Sequence, residues 1–319
     1  MPKQKTFENS AQQLYIAEYL FERLSALFQS SGLIEVYRHL QTGPAALNTL
    51  RKTLSPLITF LSAFYHYRRM IWAMSKYDLR SRYIGTLGGP LWAILHPVAM
   101  VAIYWFVFSF GFKAQGAAGT PFVLYFFCGL IPWLLFNNAL ASSVTAVTGN
   151  AHLVKKTVFP TEILPVVHLV SETCPHLGML FLVYAISWFY GYEPNFFFFQ
   201  LVYYYGALVF FVLGLAWLFS SLQVFQRDLG QALPVLLSLW FWLTPIVWTR
   251  DMIPEEFRWI TDYNPAAYLV QGYRDSLLFR DPFWIDWTGA LRFWGIAAGI
   301  FLLGSYVFRR LRPEFADVL

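Results

Sequence analysis

The sequence predicts an all-α polytopic membrane protein with about six spanning helices, and three observations predict it. Hydrophobic residues make up 57% of the 319-residue chain and charged residues 13%, where an ordinary soluble domain carries roughly 25% charged residues. So few charges cannot cover a water-exposed surface, and mean hydropathy is +0.48. The apolar residues also gather into runs long enough to cross a hydrocarbon core of about 30 Å.

Six runs qualify: 87–112, 121–147, 161–190, 198–225, 231–248 and 289–308, separated by short polar or Gly/Pro-containing turns. The first, 26 residues long, would measure roughly 39 Å at about 1.5 Å per residue, enough to cross with tilt to spare. Eleven of the 23 Lys and Arg residues precede the first run and three follow the last. With an even number of spans both ends share one side, which the positive-inside bias makes cytoplasmic. Lys155, Lys156 and Arg227 fall on the same side. The fifth connection, about 40 residues between the last two runs, is net acidic and rich in Trp and Tyr, so it is expected to fold against the outer interface. The first long apolar run begins near residue 87, so no cleavable leader is expected.

Two amphipathic stretches precede the spans. Leu14, Ala17, Phe21, Leu24 and Phe28 recur at helical spacing, the pattern of a helix on a membrane, on a partner, or in a soluble cap. From about residue 57 to 83, Phe60, Phe64, Ile71, Met74 and Leu79 alternate with Arg68, Arg69, Arg80 and Arg82. This basic amphipathic helix suits the cytoplasmic leaflet. Residues 1–60 are expected to form a helical extension, and residues 61–319 the membrane domain.

No catalytic centre is expected. No phosphate-cradling G-x-x-x-x-G-K-[ST] occurs, nor G-x-S-x-G, nor H-E-x-x-H, so any ATP must be hydrolysed by another polypeptide. Cys128 and Cys174 lie in apolar runs and make neither a disulfide framework nor a four-ligand zinc site. Neither a cofactor on this chain nor a nucleic-acid partner is expected. His168, Glu172 and His176 recur every four residues in the third run, along one helix face. A transport-pathway lining and a helix-packing ladder both fit, while one helix face supplies too few ligands for a metal. Aromatic residues reach 20%. Runs such as 104–106, 196–199 and 203–205 fit interfacial belts or a conduit on which sugar rings stack.

Five blocks then carry a resemblance. They are Asp78-Leu79-Arg80-Ser81-Arg82-Tyr83-Ile84-Gly85-Thr86 with Gly89-Pro90-Leu91-Trp92 and Pro97; residues 153–165 (LVKKTVFPTEILP); residues 225–231 (FQRDLGQ); residues 241–247 (FWLTPIV); and Tyr263-Asn264-Pro265 with Tyr273-Arg274-Asp275. From about residue 65 to the end, in order and with fitting spacing, the chain resembles the permease subunits of type-2 ABC exporters that move polysaccharides. Gly88 stands where that family more usually has Leu, and residues 1–60 have no counterpart in its compact members.

The resemblance implies a half-transporter in the bacterial cytoplasmic membrane. A second copy completes the pathway, and two ABC subunits supply ATP and Mg. The cargo would be a lipid-linked glycan such as O antigen of lipopolysaccharide, capsule or teichoic acid. By position, residues 148–157, with Asn150, His152, Leu153, Lys155 and Lys156, would be the ATPase-coupling helix. Arg80, Arg82 and Tyr83 would meet the anionic lipid head group; His168, Glu172 and His176 would line the pathway. Asn264, Pro265, Tyr273 and Arg274 would belong to an exit gate of short re-entrant helices, 253–258 and 265–278. Two alternatives remain at this stage: a type-2 exporter of drugs or simple lipids, and a polyprenyl-dependent membrane glycosyltransferase or acyltransferase.

Overall fold

The computed structural model describes residues 64–319 apart from 83, 87, 112–115, 157–158 and 194, with backbone alone at 90, 93, 94, 97 and 156. The expectations for residues 1–60, the amphipathic stretch 14–28 and Tyr83 lie outside the described residues. Residues 67–319 form one compact unit, helical throughout its regular structure among the described residues.

In chain order the helices are α1 (Arg68–Ser81), α2 (Trp92–Phe106), α3 (Phe122–Val144), α4 (Ala146–Gly149), α5 (Ala151–Lys156), α6 (Ile163–Phe189), α7 (Gln200–Phe225), α8 (Leu229–Leu243), α9 (Trp259–Asp262), α10 (Pro265–Arg274), α11 (Trp287–Leu311) and α12 (Phe315–Val318). Among the described residues, four helices are long and apolar enough to cross a membrane: Phe122–Val144, Ile163–Phe189, Phe196–Phe225 and Trp287–Val318. The other two predicted spans are apolar but shorter. α8 has 15 residues, about 22 Å at 1.5 Å per residue. α2 also has 15 and runs on through a π-turn, Val107–Gly111.

α3 is the central helix, with side chains buried on all sides and Leu124, Phe126, Phe136 and Leu140 nearly inaccessible. Hydrophobic all round, it needs partners on every face, and α6, α7, α8 and α10 supply them. α7 and α11 form the most intimate pair. They cross at Gly214 and Gly304: a Cβ on Gly214 would come within 2.7 Å of the Phe301 Cα, and small residues let apolar helices approach this closely. Tyr203 ties the start of α7 to α11 and α10, accepting from Trp294 Nε1 at 2.8 Å and sharing a 3.1 Å hydrogen bond with Tyr268 of α10.

α1 packs along α6. Ile71 and Ser75 are buried there, and the Ser75 hydroxyl donates to the Val167 carbonyl at 2.9 Å. The connection predicted to be more than a passive loop folds into short helices. α10 begins with Asn264 as N-cap, whose Oδ1 accepts from Ala266 N at 3.0 Å, with Pro265 in the first turn.

Candidate functional site

A cavity of about 680 Å³ opens between α2, α3, α6 and α8. All four of these helices carry an internal proline, Pro97, Pro132, Pro175 and Pro234, and each proline removes one ladder hydrogen bond. The walls combine aromatic rings (Trp92, Tyr104, Trp133) with polar groups, including Asn138, Glu172 and His176.

The predicted face of α6 therefore divides by depth. His176 is buried against the cavity; its Nε2 shares a 3.1 Å hydrogen bond with the Tyr273 hydroxyl, and its ring stacks at 5.7 Å on Tyr205. Glu172 lines the same cavity, yet its carboxylate is bonded to the Arg82 guanidinium just beyond α1. His168 lines a separate pocket of about 340 Å³ with Tyr77, Asp78 and Asn150.

Asp78, which the sequence reading did not single out for a role, completes this seam. Its Oδ2 accepts from Arg82 Nη2 at 2.7 Å and from the Ser171 hydroxyl at 2.6 Å, and its Oδ1 lies 3.3 Å from His168 Nδ1. Burial pushes the Asp78 carboxyl up, but hydrogen bonds from His168 and Ser171 and the charges of His168 and Arg82 outweigh it and hold it down at about 2. Arg82 is raised in turn: burial opposes its charge, and the Glu172 and Asp78 carboxylates more than offset that. The i,i+4 spacing of Asp78 and Arg82 on a helix was the available signal. Arg80 is exposed and has no ion pair among the described residues.

The residues expected to couple to an ATPase lie on α4, α5 and the turn between them. His152 and Lys155 are exposed, Asn150 and Leu153 half-buried; the Asn150 amide donates to the Ala146 carbonyl at 2.9 Å and closes the turn. Just after this segment the Glu162 carboxylate is buried and pairs with Arg312 at 2.9 Å, and the Glu162 carbonyl accepts from Trp217 Nε1 at 3.1 Å. These contacts anchor the polar turn to the end of the last long helix. Sequence reasoning counted Arg312 only as a basic flank.

The residues expected at an exit gate are packed rather than exposed. Arg274 is fully buried: Nε donates to the Tyr125 carbonyl at 3.1 Å, Nη1 to Pro245 at 2.7 Å and Nη2 to Ile246 at 2.9 Å. Its guanidinium carbon sits 3.6 Å from the Tyr125 ring centroid. Asn264 receives Trp240 Nε1 at 2.8 Å and donates to Thr244 Oγ1 at 3.0 Å, holding the end of α8 against the start of α10. Among the predicted aromatic runs, Tyr104 lines the cavity and stacks on Phe126 at 4.9 Å, Tyr204 is buried, and Phe196 and Phe199 are exposed.

Apolar helices packed around a polar and aromatic cavity, with a polar turn held against the bundle, define a multi-pass membrane transport subunit. Residues 69–278 match the ABC-2 type transporter family, and the chain belongs to it. It is 31% identical over 248 residues to an O-antigen export system permease protein RfbA of Klebsiella pneumoniae, covering 76% of this chain and 92% of that protein. A protein of the same name from Myxococcus xanthus is 25% identical, over 82% of this chain and 99% of that one. The polysialic acid transport protein KpsM of Escherichia coli is 25% identical over 63% of this chain and 78% of its own length. Subunits of this family work with ATP-binding subunits and carry no catalytic activity of their own.

Proposed function

We propose that this chain is the membrane half of an ATP-driven exporter that moves a lipid-linked polysaccharide across the bacterial cytoplasmic membrane. The observation that carries the reading is the similarity to O-antigen export permeases across nearly their whole length. Two copies and two ATP-binding subunits form the working complex. Residues 87–112 and 231–248 complete six segments at membrane depth, and both chain ends are cytoplasmic. α1 lies on the inner leaflet, where exposed Arg80 and Arg82, followed in sequence by Tyr83, meet the phosphate of the carrier lipid. The polar turn spanning α4 and α5, with Lys155 and Lys156, is the lever that the ATPase pushes.

In the outer connection, residues 253–258 and 265–278 dip back toward the membrane as an exit gate, and Arg274 fastens that gate to α3. Backbone that is not helical at that depth must be buried in protein or face water; Asn264 is buried at the start of α10, and the exposed residues 254–257 would face water. Deleting the gene tests the reading. The expected result is a lipid-linked glycan accumulating inside the cell and missing from the surface, restored by the intact gene. Unchanged surface glycan, with no lipid-linked sugar retained, would refute it.

A further inference from the structure

The export reading leaves open which glycans the cavity admits, and its walls are chemically one-sided. Among the described residues their polar groups are the amides of Asn137 and Asn138, the Ser238 and Tyr104 hydroxyls, the imidazoles of His96 and His176, the indole N–H groups of Trp92, Trp133 and Trp242, and one carboxylate, Glu172. Among the described residues no lysine or arginine lines the cavity. The guanidinium that reaches this lining, Arg82, is already held by Glu172, by Asp78 at 2.7 Å and by Ser171 Oγ at 3.3 Å. The charge of Glu172 is thus matched from outside, and among the described residues the wall has no spare cation.

Resting on that reading, we infer that the exporter selects for glycans with uncharged repeat units. Amides, hydroxyls and imidazoles exchange hydrogen bonds with sugar hydroxyls, and the rings of Trp92, Tyr104 and Trp133 offer faces for sugar C–H groups. A carboxylate on every repeat finds no partner there. Each one entering the cavity loses water without gaining a counter-ion, because the one guanidinium within reach is already paired with Glu172. The phosphate of the carrier is a separate case, because it arrives once per chain and meets the arginines beside α1.

The test uses the purified complex of this chain with its ATP-binding partner in lipid vesicles. Two prenyl-diphosphate-linked polymers of equal length are compared, one of neutral hexoses and one of uronic acids. ATP-dependent transfer of the uronic polymer is expected to be slower by about tenfold or more, tenfold being about 1.4 kcal/mol of barrier. Asn138→Lys and, separately, Ser238→Lys place a cation on exposed positions of the wall and should narrow the gap. Equal rates for the two polymers, or faster transfer of the uronic one, overturn the inference and leave export standing. Vesicles that hydrolyse ATP but move neither polymer overturn the export reading itself, and the inference with it.

Discussion

Arg274 is a charged residue with no exposure and three carbonyl partners, and replacing it by methionine gives a sharp test of what it does. The Tyr125 carbonyl lies inside α3 and keeps a helix partner. The Pro245 and Ile246 carbonyls lie beyond the end of α8 and lose theirs. An orphaned buried acceptor costs about 1–3 kcal/mol, so two cost about 2–6 kcal/mol. Relieving the desolvation of the guanidinium offsets part of this, and a net loss of about 2–4 kcal/mol follows. For a domain of this size that lowers Tm by roughly 4–16 °C, readable by tryptophan fluorescence on the detergent-solubilised chain. Arg274→Lys should also be destabilised, because an ammonium cannot present the same planar fork to three carbonyls. If Arg274→Met melts within 2 °C of the parent, the clamp assignment is wrong.

The remaining predictions concern the turn, the seam and the crossing. Lys155→Glu with Lys156→Glu should abolish co-purification of the ATP-binding subunit and glycan export while leaving thermal stability of the isolated chain unchanged; survival of association and export together would remove residues 148–157 from the coupling role. The Asp78 carboxyl sits below its unfolded value, so its contribution is present above about pH 4 and is lost as pH falls toward about 2. Melting followed between pH 8 and pH 2 should show an acid-side loss that Asp78→Asn removes. Gly214→Val should prevent α7 and α11 from closing, since even a Cβ meets Phe301 backbone at 2.7 Å, and the folded yield in detergent should collapse. Glu172→Gln should free one side of Arg82 and tighten binding of a prenyl-diphosphate to the purified chain by severalfold; unchanged affinity would argue against Arg82 as a head-group residue.

The bundle was legible in the sequence because a hydrocarbon core demands long apolar runs, and the helices 122–144, 163–189 and 287–311 begin and end within about three residues of the runs that predicted them. α8 was harder to read: Leu243 ends the helix, yet the apolar run continues through Pro245 to Trp248, so hydropathy could not mark the stop that Thr244 and Pro245 impose. The i,i+4 spacing placed His168, Glu172 and His176 on one face. It could not say that the lower two turn to α1 and the third to Tyr273, because spacing fixes a face and partners fix a role. Glu162 and Arg312 illustrate the same limit, as an ion pair between residues 150 positions apart leaves no local pattern.

Arg82 brings the seam and the proposed transport cycle together. Its guanidinium is shared between Asp78 on α1 and Glu172 on the cavity wall, and its side chain keeps 29% exposure. A phosphate approaching along α1 offers the same bidentate geometry with more charge than a single carboxylate. It would compete for the guanidinium face that Glu172 now holds. Asp78, fixed by Ser171 and His168 as well as by Arg82, has less reason to let go. Capture of a phosphate would then release the cavity-side partner and leave the helix-side partner in place. The link between α1 and the wall loosens at Glu172, and α1 stays docked through Asp78 and Ser75. On this account the arrival of the lipid head group and the opening of the cavity edge are one exchange of partners around a single cation, and both must weaken together when Arg82 is replaced by a residue that cannot hold two anions.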